Sequence, residues 1–186
     1  MNHLLCKKTL LALAVAFFTC LSLSSSAQNL SGDDIKNQFV KDWERAKDYT
    51  AAYLDAMPAD KYSFKAVDSI RSFAQQMLHL ASGNAFLIFL ATGNQPPFDA
   101  RTLEGRASAQ TKDSVAYFVN ASYDFAIKSV KGFDPAKFGE VVGQDTRKAT
   151  RYALFLKAFE HQTHHRGQTT IYIRLLGIRP PGERLF

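Results

Sequence analysis

The stretch DTRKATRYALFLKAFEHQTHHRGQTTIYIRLLG, Asp145 to Gly177, reads as one long helix. Asp145 or Thr146 is placed to start it, and it runs to about Leu176. Gly177 stops it and Pro180-Pro181 prevents a restart. Within it, three histidines and an arginine crowd into HQTHHRGQ, His161 to Gln168. Helices elsewhere in the chain carry almost no imidazole.

Upstream, three further helical patterns can be read. Ile35, Phe39, Trp43, Ala46, Tyr49, Tyr53 and Leu54 recur at helical spacing over roughly 34–56, behind a Ser31-x-x-Asp34 cap, and Met57-Pro58 ends the run. Asp68 is placed to cap a second helix over roughly 69–91, with Ile70, Phe73, Met77, Leu80, Ala81 and Phe86 to Leu90 as its stripe. TGNQPPFDART is a loop by its Gly, Pro and Asn content. A third helix spans roughly 110–130, and Phe138 to Val142 forms a short extended piece. Four amphipathic helices without strand alternation or repeat predict an all-α fold, a four-helix bundle.

The chain opens MNHLLCKKTLLALAVAFFTCLSLSSSAQ. Lys7 and Lys8, an uncharged run from Leu10 to Leu23, and Ser25-Ser26-Ala27 make the pattern of a cleaved secretory signal over 1–27. The apolar run is short against the ~20 residues of a spanning helix. The expected mature chain, 28–186, is a single domain, exported to a periplasm or secreted, with no stable membrane insertion. Without Lys7 and Lys8 the 23 basic residues of the chain fall to 21, against 17 acidic ones. So mild an excess argues against a nucleic-acid surface. Both cysteines, Cys6 and Cys20, lie in the leader. The mature chain therefore has no disulfide, no thiolate nucleophile and no cysteine metal ligand.

Four histidines remain after the leader: His79, His161, His164 and His165. His161 and His165 are an i, i+4 pair on one helix face, ~5–6 Å apart at Cβ. Such a pair can converge on one ion at ~2.0–2.1 Å. His164 lies about 60° off His161 on the other side. A third ligand must come from a facing helix, and His79, central in the second helix, is the remaining candidate. Three imidazoles leave at least one coordination position open, which is the pattern of a catalytic site.

HQTHHRGQ followed by YIRLLGIRPPG resembles the signature of the DinB-like superfamily, and LHLASGNAFL around His79 resembles its second-helix motif. The likeness covers roughly 34–182. It implies a four-helix bundle holding a divalent metal on three histidines, which by position are His79, His161 and His165. Zn or Ni is the first choice of ion, with Fe or Mn next. It also implies a metal-dependent enzyme. Some relatives join low-molecular-weight thiols to electrophiles, as bacillithiol transferases do, and others are hydrolases or isomerases. An exported protein departs from the cytoplasmic setting of those thiols. A non-catalytic metal- or ligand-binding module is the alternative.

The other motif residues carry narrower expectations. Gln168 shares the ligand face and either bonds a metal-bound water or makes a helix–helix hydrogen bond. His164 either holds an outer carboxylate or is plain surface. Tyr172 lines the pocket or packs in the core. Arg166 is expected as a buried or interfacial ion-pair partner, Asn84 as a bond to backbone or a neighbouring helix, and Gly167 as a point where another helix comes close. The expected partners are a small-molecule substrate and, through aromatic-rich faces, a second copy in a homodimer.

Overall fold

The computed structural model describes residues 29–186. The expected leader, 1–27, and its expected cleavage site lie outside the described residues. Four helices dominate: α1 Gly32–Ala56, α2 Phe73–Thr92, α3 Lys112–Lys131 and α4 Arg151–Leu175. α2 is the central element, packed chiefly on α4 and α3, and α1 lies mainly against α3. The predicted bundle is therefore the observed one. No helix among the described residues is long and apolar enough to cross a membrane.

Each helix buries the stripe that its spacing dictates. On α1 the buried positions Phe39, Trp43, Ala46, Thr50 and Tyr53 step by three or four residues. Trp43 is wholly buried and meets Tyr123 and Phe159 edge-on. Burying a large apolar side chain of this kind contributes about 1.5–3 kcal/mol. α2 is buried on more than one face, through Phe73, Met77, Leu78, Leu80, Ala81, Ala85 and Ile88, as a central helix must be. α4 differs: its buried stripe begins apolar at Leu154, Phe155 and Ala158, then turns polar at Gln162, His165, Arg166 and Thr169.

Two helix starts differ from expectation. α2 begins at Phe73, not near 69, because Ser72 and Gln75 form a reciprocal capping box, and Asp68 plays no capping part. α4 begins at Arg151, not at Asp145 or Thr146. Residues before it form a hairpin, in which Val141–Val142 (β1) pairs antiparallel with Ala149–Thr150 (β2). The hairpin claims the backbone that the helix would have used, and the Thr150 hydroxyl accepts the Ala153 N–H to cap α4. The extended piece expected at 138–142 is thus present at its last two residues. At the other end Gly177 takes φ +75°, the left-handed conformation that closes a helix.

The loop between α2 and α3, residues 93–111, is anchored at several points. Leu103 is fully buried, Phe98 stacks edge-on against Phe118, and the Ala100 carbonyl accepts from Ser82 Oγ at 3.0 Å. This loop reaches back across α2 to His79.

Candidate metal centre

His79 on α2 meets His161 and His165 on α4. The ring centroids are 5.2 Å apart for His79–His161, 4.5 Å for His79–His165 and 4.4 Å for His161–His165. One nitrogen from each of the three lies within 4.8 Å of the others. Three nitrogens around one tetrahedral ion would lie ~3.3 Å apart. Small movements of the rings therefore close the set onto an ion. Among the described residues this cluster could hold a metal.

The electrostatics suit that role. Burial, reinforced by the neighbouring imidazoles and Arg71, pushes His161 down to about 4 and His165 down to about 3. Both rings are thus neutral at pH 7, with a lone pair to offer. His161 Nδ1 is moreover buried without a hydrogen-bond partner. An imidazole left in that state is costly unless something else fills the position. The donor set is nitrogen only, with His161 and His165 neutral, and fits a borderline divalent ion.

Behind the rings stands a set of residues that periodicity did not reveal. Glu104, in the 93–111 loop, binds His79 Nδ1 through Oε2 at 2.8 Å and accepts Arg71 Nε on Oε1 at 2.6 Å. Partial burial works to raise its pKa, but the bonds from Arg71 and His79 outweigh that and hold it below the ordinary carboxylate range. An ionised carboxylate can only accept, so His79 Nδ1 carries the proton and Nε2 is left as the ligand atom. His165 Nδ1 meets Gln76 Nε2 at 2.9 Å, so Gln76 fixes the tilt of that ring. Gln76 Nε2 also donates to Gln168 Oε1, and Gln168 Nε2 meets His164 Nε2 at 3.0 Å.

The third missed residue is Gly83, one turn after His79. A Cβ there would lie 2.0 Å from His161 Cε1 and 2.3 Å from its Nδ1. The His161 ring occupies the space that any side chain at 83 would need. A mid-helix glycine four residues beyond a predicted ligand was the available signal. Gln76, three residues before His79, offered a similar one.

The remaining expectations sort as follows. Gln168 is exposed and makes the helix–helix bond, through Gln76. His164 is exposed and contacts Gln168, while the carboxylate of the cluster is Glu104 and serves His79. Tyr172 is buried and donates to the Arg71 carbonyl at 2.7 Å, fixing the backbone that carries Arg71. Asn84 donates to Ser122 Oγ on α3. Arg166 is buried as expected, but its partners are not ionic: Nη1 donates to Gln162 Oε1 at 2.8 Å, and the guanidinium lies 4.5 Å from the Tyr49 ring centroid. Gly167 faces open space, and no helix approaches it.

Two hollows adjoin the cluster. One, of about 1060 Å³, has His79 and His161 in its wall together with Phe86, Leu87, Pro97 and Phe98. The other, of about 710 Å³, is polar and runs past Arg71, Gln76, Glu104, Gln168 and Tyr172.

Comparison with known proteins agrees with the fold. A model of the DinB family matches residues 27–184. A Bacillus subtilis protein, YjoA, described as uncharacterized, is 24% identical over 148 residues, 76% of this chain and 90% of its own length. The crystal structure of a DinB-like protein from Bacillus cereus superposes with a TM-score of 0.68 at 16% identity, covering 78% of this chain and 95% of that one. The structure of YjoA itself gives 0.58 at 22% identity, covering 80% and 96%. A conserved Enterococcus faecalis protein gives 0.64 at 14%, covering 77% and 98%. At these identities the solved structures speak for the fold alone.

Proposed function

The chain belongs to the DinB family, and on that footing we propose that His79, His161 and His165 hold one divalent metal ion and that the protein is a metal-dependent enzyme acting on a small molecule. The observation that carries the reading is the convergence of three imidazoles from two helices, with one nitrogen of each within 4.8 Å of the others. Zn or Ni suits the nitrogen set best, and Fe or Mn follows. A bound ion would supply Lewis acidity, making a water or a thiol nucleophilic near neutral pH.

The chain's own residues have distinct parts in this reading. Glu104 fixes the tautomer and tilt of His79, with Arg71 holding the carboxylate in place. Gln76 holds the tilt of His165, steadied by Gln168. Gly83 makes room for His161. The hollow beside His79 and His161 gives a small molecule access to the cluster.

Two reactions fit: hydrolysis, and transfer of a thiol to an electrophile. The secretory leader favours hydrolysis, since a protein outside the cytoplasm meets few low-molecular-weight thiols. A non-catalytic binding module is the second reading. It is favoured by Glu104, whose two oxygens are engaged by Arg71 and His79 and are not free to take a proton from substrate.

Elemental mass spectrometry of the purified protein beside His79→Ala and His161→Ala tests the reading. About one ion per chain in the wild type, lost in both variants, supports it. Absence of metal after incubation with Zn, Ni and Mn sinks it.

A further inference from the structure

We propose that the hollow beside His79 and His161 binds an uncharged, apolar molecule bearing a single lone-pair head group, with that head turned toward the histidines. The orientation of the head rests on the metal reading above; the apolar body does not.

Size comes first. At about 1060 Å³ the hollow lies just above the ~300–1,000 Å³ typical of small-molecule sites. Its walls are aromatic and aliphatic, with Phe86, Leu87 and Phe89 from α2 and Pro96, Pro97 and Phe98 from the loop. Such walls recognise shape and apolar area.

The polar groups in the wall narrow the class further. Asp99 and Arg101 neutralise each other, with Arg101 Nε and Nη2 donating to the two carboxylate oxygens at 3.1 and 3.3 Å. The Arg101 backbone N–H also donates to Asp99 Oδ1. Ser82 Oγ donates to the Ala100 carbonyl. Gln95 sits at the exposed margin. Both charges are solvent-exposed, and the rest of the wall offers no buried counter-charge, so a charge taken against it unpaired would be expensive. An uncharged body is therefore favoured.

One end of the hollow is different. His79 and His161 both line it. His79 has Nδ1 engaged by Glu104 and Nε2 left over. In the metal reading the nitrogens of the two rings hold the ion, so a coordinating head group would be drawn to the part of the wall that they share. A molecule with one hydroxyl, thiol or carbonyl matches that distribution, whereas a peptide or sugar, polar along its length, does not.

The test uses the uncharged fluorophore N-phenyl-1-naphthylamine, then displacement by 2-naphthohydroxamic acid or methyl 2-naphthoate. These two share a body and differ in the metal-binding head. Micromolar fluorophore binding is expected, weakened at least tenfold by Phe86→Asp and by Leu87→Lys. Phe86 is 43% exposed, so that variant keeps the fold, and circular dichroism checks both. The hydroxamate is expected to bind at least tenfold tighter to zinc-loaded protein than to zinc-free protein, and the ester, a far weaker metal ligand, to gain much less. No fluorophore binding by folded wild type, or binding indifferent to both substitutions, overturns the apolar body. A hydroxamate that gains nothing from about one counted zinc per chain overturns the orientation of the head. A chain that takes up no zinc sinks the metal reading and the head's orientation with it, while fluorophore binding abolished by Phe86→Asp upholds the body.

Discussion

The imidazole of His161 lies where a side chain at position 83 would stand: a Cβ on Gly83 would come within 2.0 Å of His161 Cε1. No shift of a few tenths of an ångström relieves such an overlap, so the ring must swing away. Gly83→Ala is therefore expected to cut metal affinity at least tenfold. The global fold should survive, because alanine's better helix propensity, about 1 kcal/mol, offsets part of the crowding. Metal competition against a chelating dye, with thermal unfolding alongside, checks this. Unchanged affinity would mean that His161 is not a ligand.

In the metal reading Glu104 would act on the ion only through His79, whose Nδ1 it binds. Glu104→Gln keeps an acceptor for the His79 N–H but weakens the grip of Arg71. A loss of about tenfold in metal affinity is expected, with Glu104→Ala nearer a hundredfold, the range typical of outer partners of a ligating histidine. The same competition assay reads both. Loss as complete as in His79→Ala would instead make Glu104 a direct ligand.

Arg166, the residue after His165 and turned toward α1 and α3, answers a different question. Its guanidinium holds together the Gln162, Tyr123 and Thr50 side chains and covers the Tyr49 ring. Removing it from a buried position leaves polar atoms under-satisfied and a void. Arg166→Ala should lower stability by about 2–4 kcal/mol while leaving metal stoichiometry at wild type. Denaturant unfolding and metal content, measured on one sample, separate the two effects.

Acid should weaken the metal-free protein in a defined window. His161 and His165 are held below their unfolded value of 6.5, at about 4 and about 3. The unfolded chain therefore binds more protons once the pH drops below about 6.5, and the stability these rings contribute is full above that value. It drains as pH falls toward 4 and below. Glu104, also held low, adds a loss in the same direction further down. Melting temperatures from pH 8 to 4 should show the decline, and His161→Asn/His165→Asn should flatten its upper part. An identical slope in the double variant would assign the acid sensitivity elsewhere.

The helices were legible because each buried stripe repeats by three or four, and the histidine trio because i, i+4 spacing forces two rings onto one face. The start of α4 was not, since β1–β2 pairing is a contact between segments that each read as ordinary loop or helix. Glu104 was illegible for a related reason. It lies 25 residues beyond His79, and only the path of the 93–111 loop over α2 brings them together. The arginine was placed in the interior correctly, but its partners turned out to be amide, hydroxyl and ring, because Gln162 and Tyr123 reach it before any carboxylate does.

The 93–111 loop has two employments at once. Its Pro96, Pro97 and Phe98 wall one side of the hollow, and its Glu104 steers His79. Widening the hollow for a bulky guest pulls on the segment that orients a ligand of the ion. A guest and a bound ion would then be coupled by strain in one piece of backbone. Reciprocity requires that whatever factor the guest imposed on the ion's affinity, the ion would impose on the guest's. A filled hollow and a firmly held ion would be two readings of a single loop position.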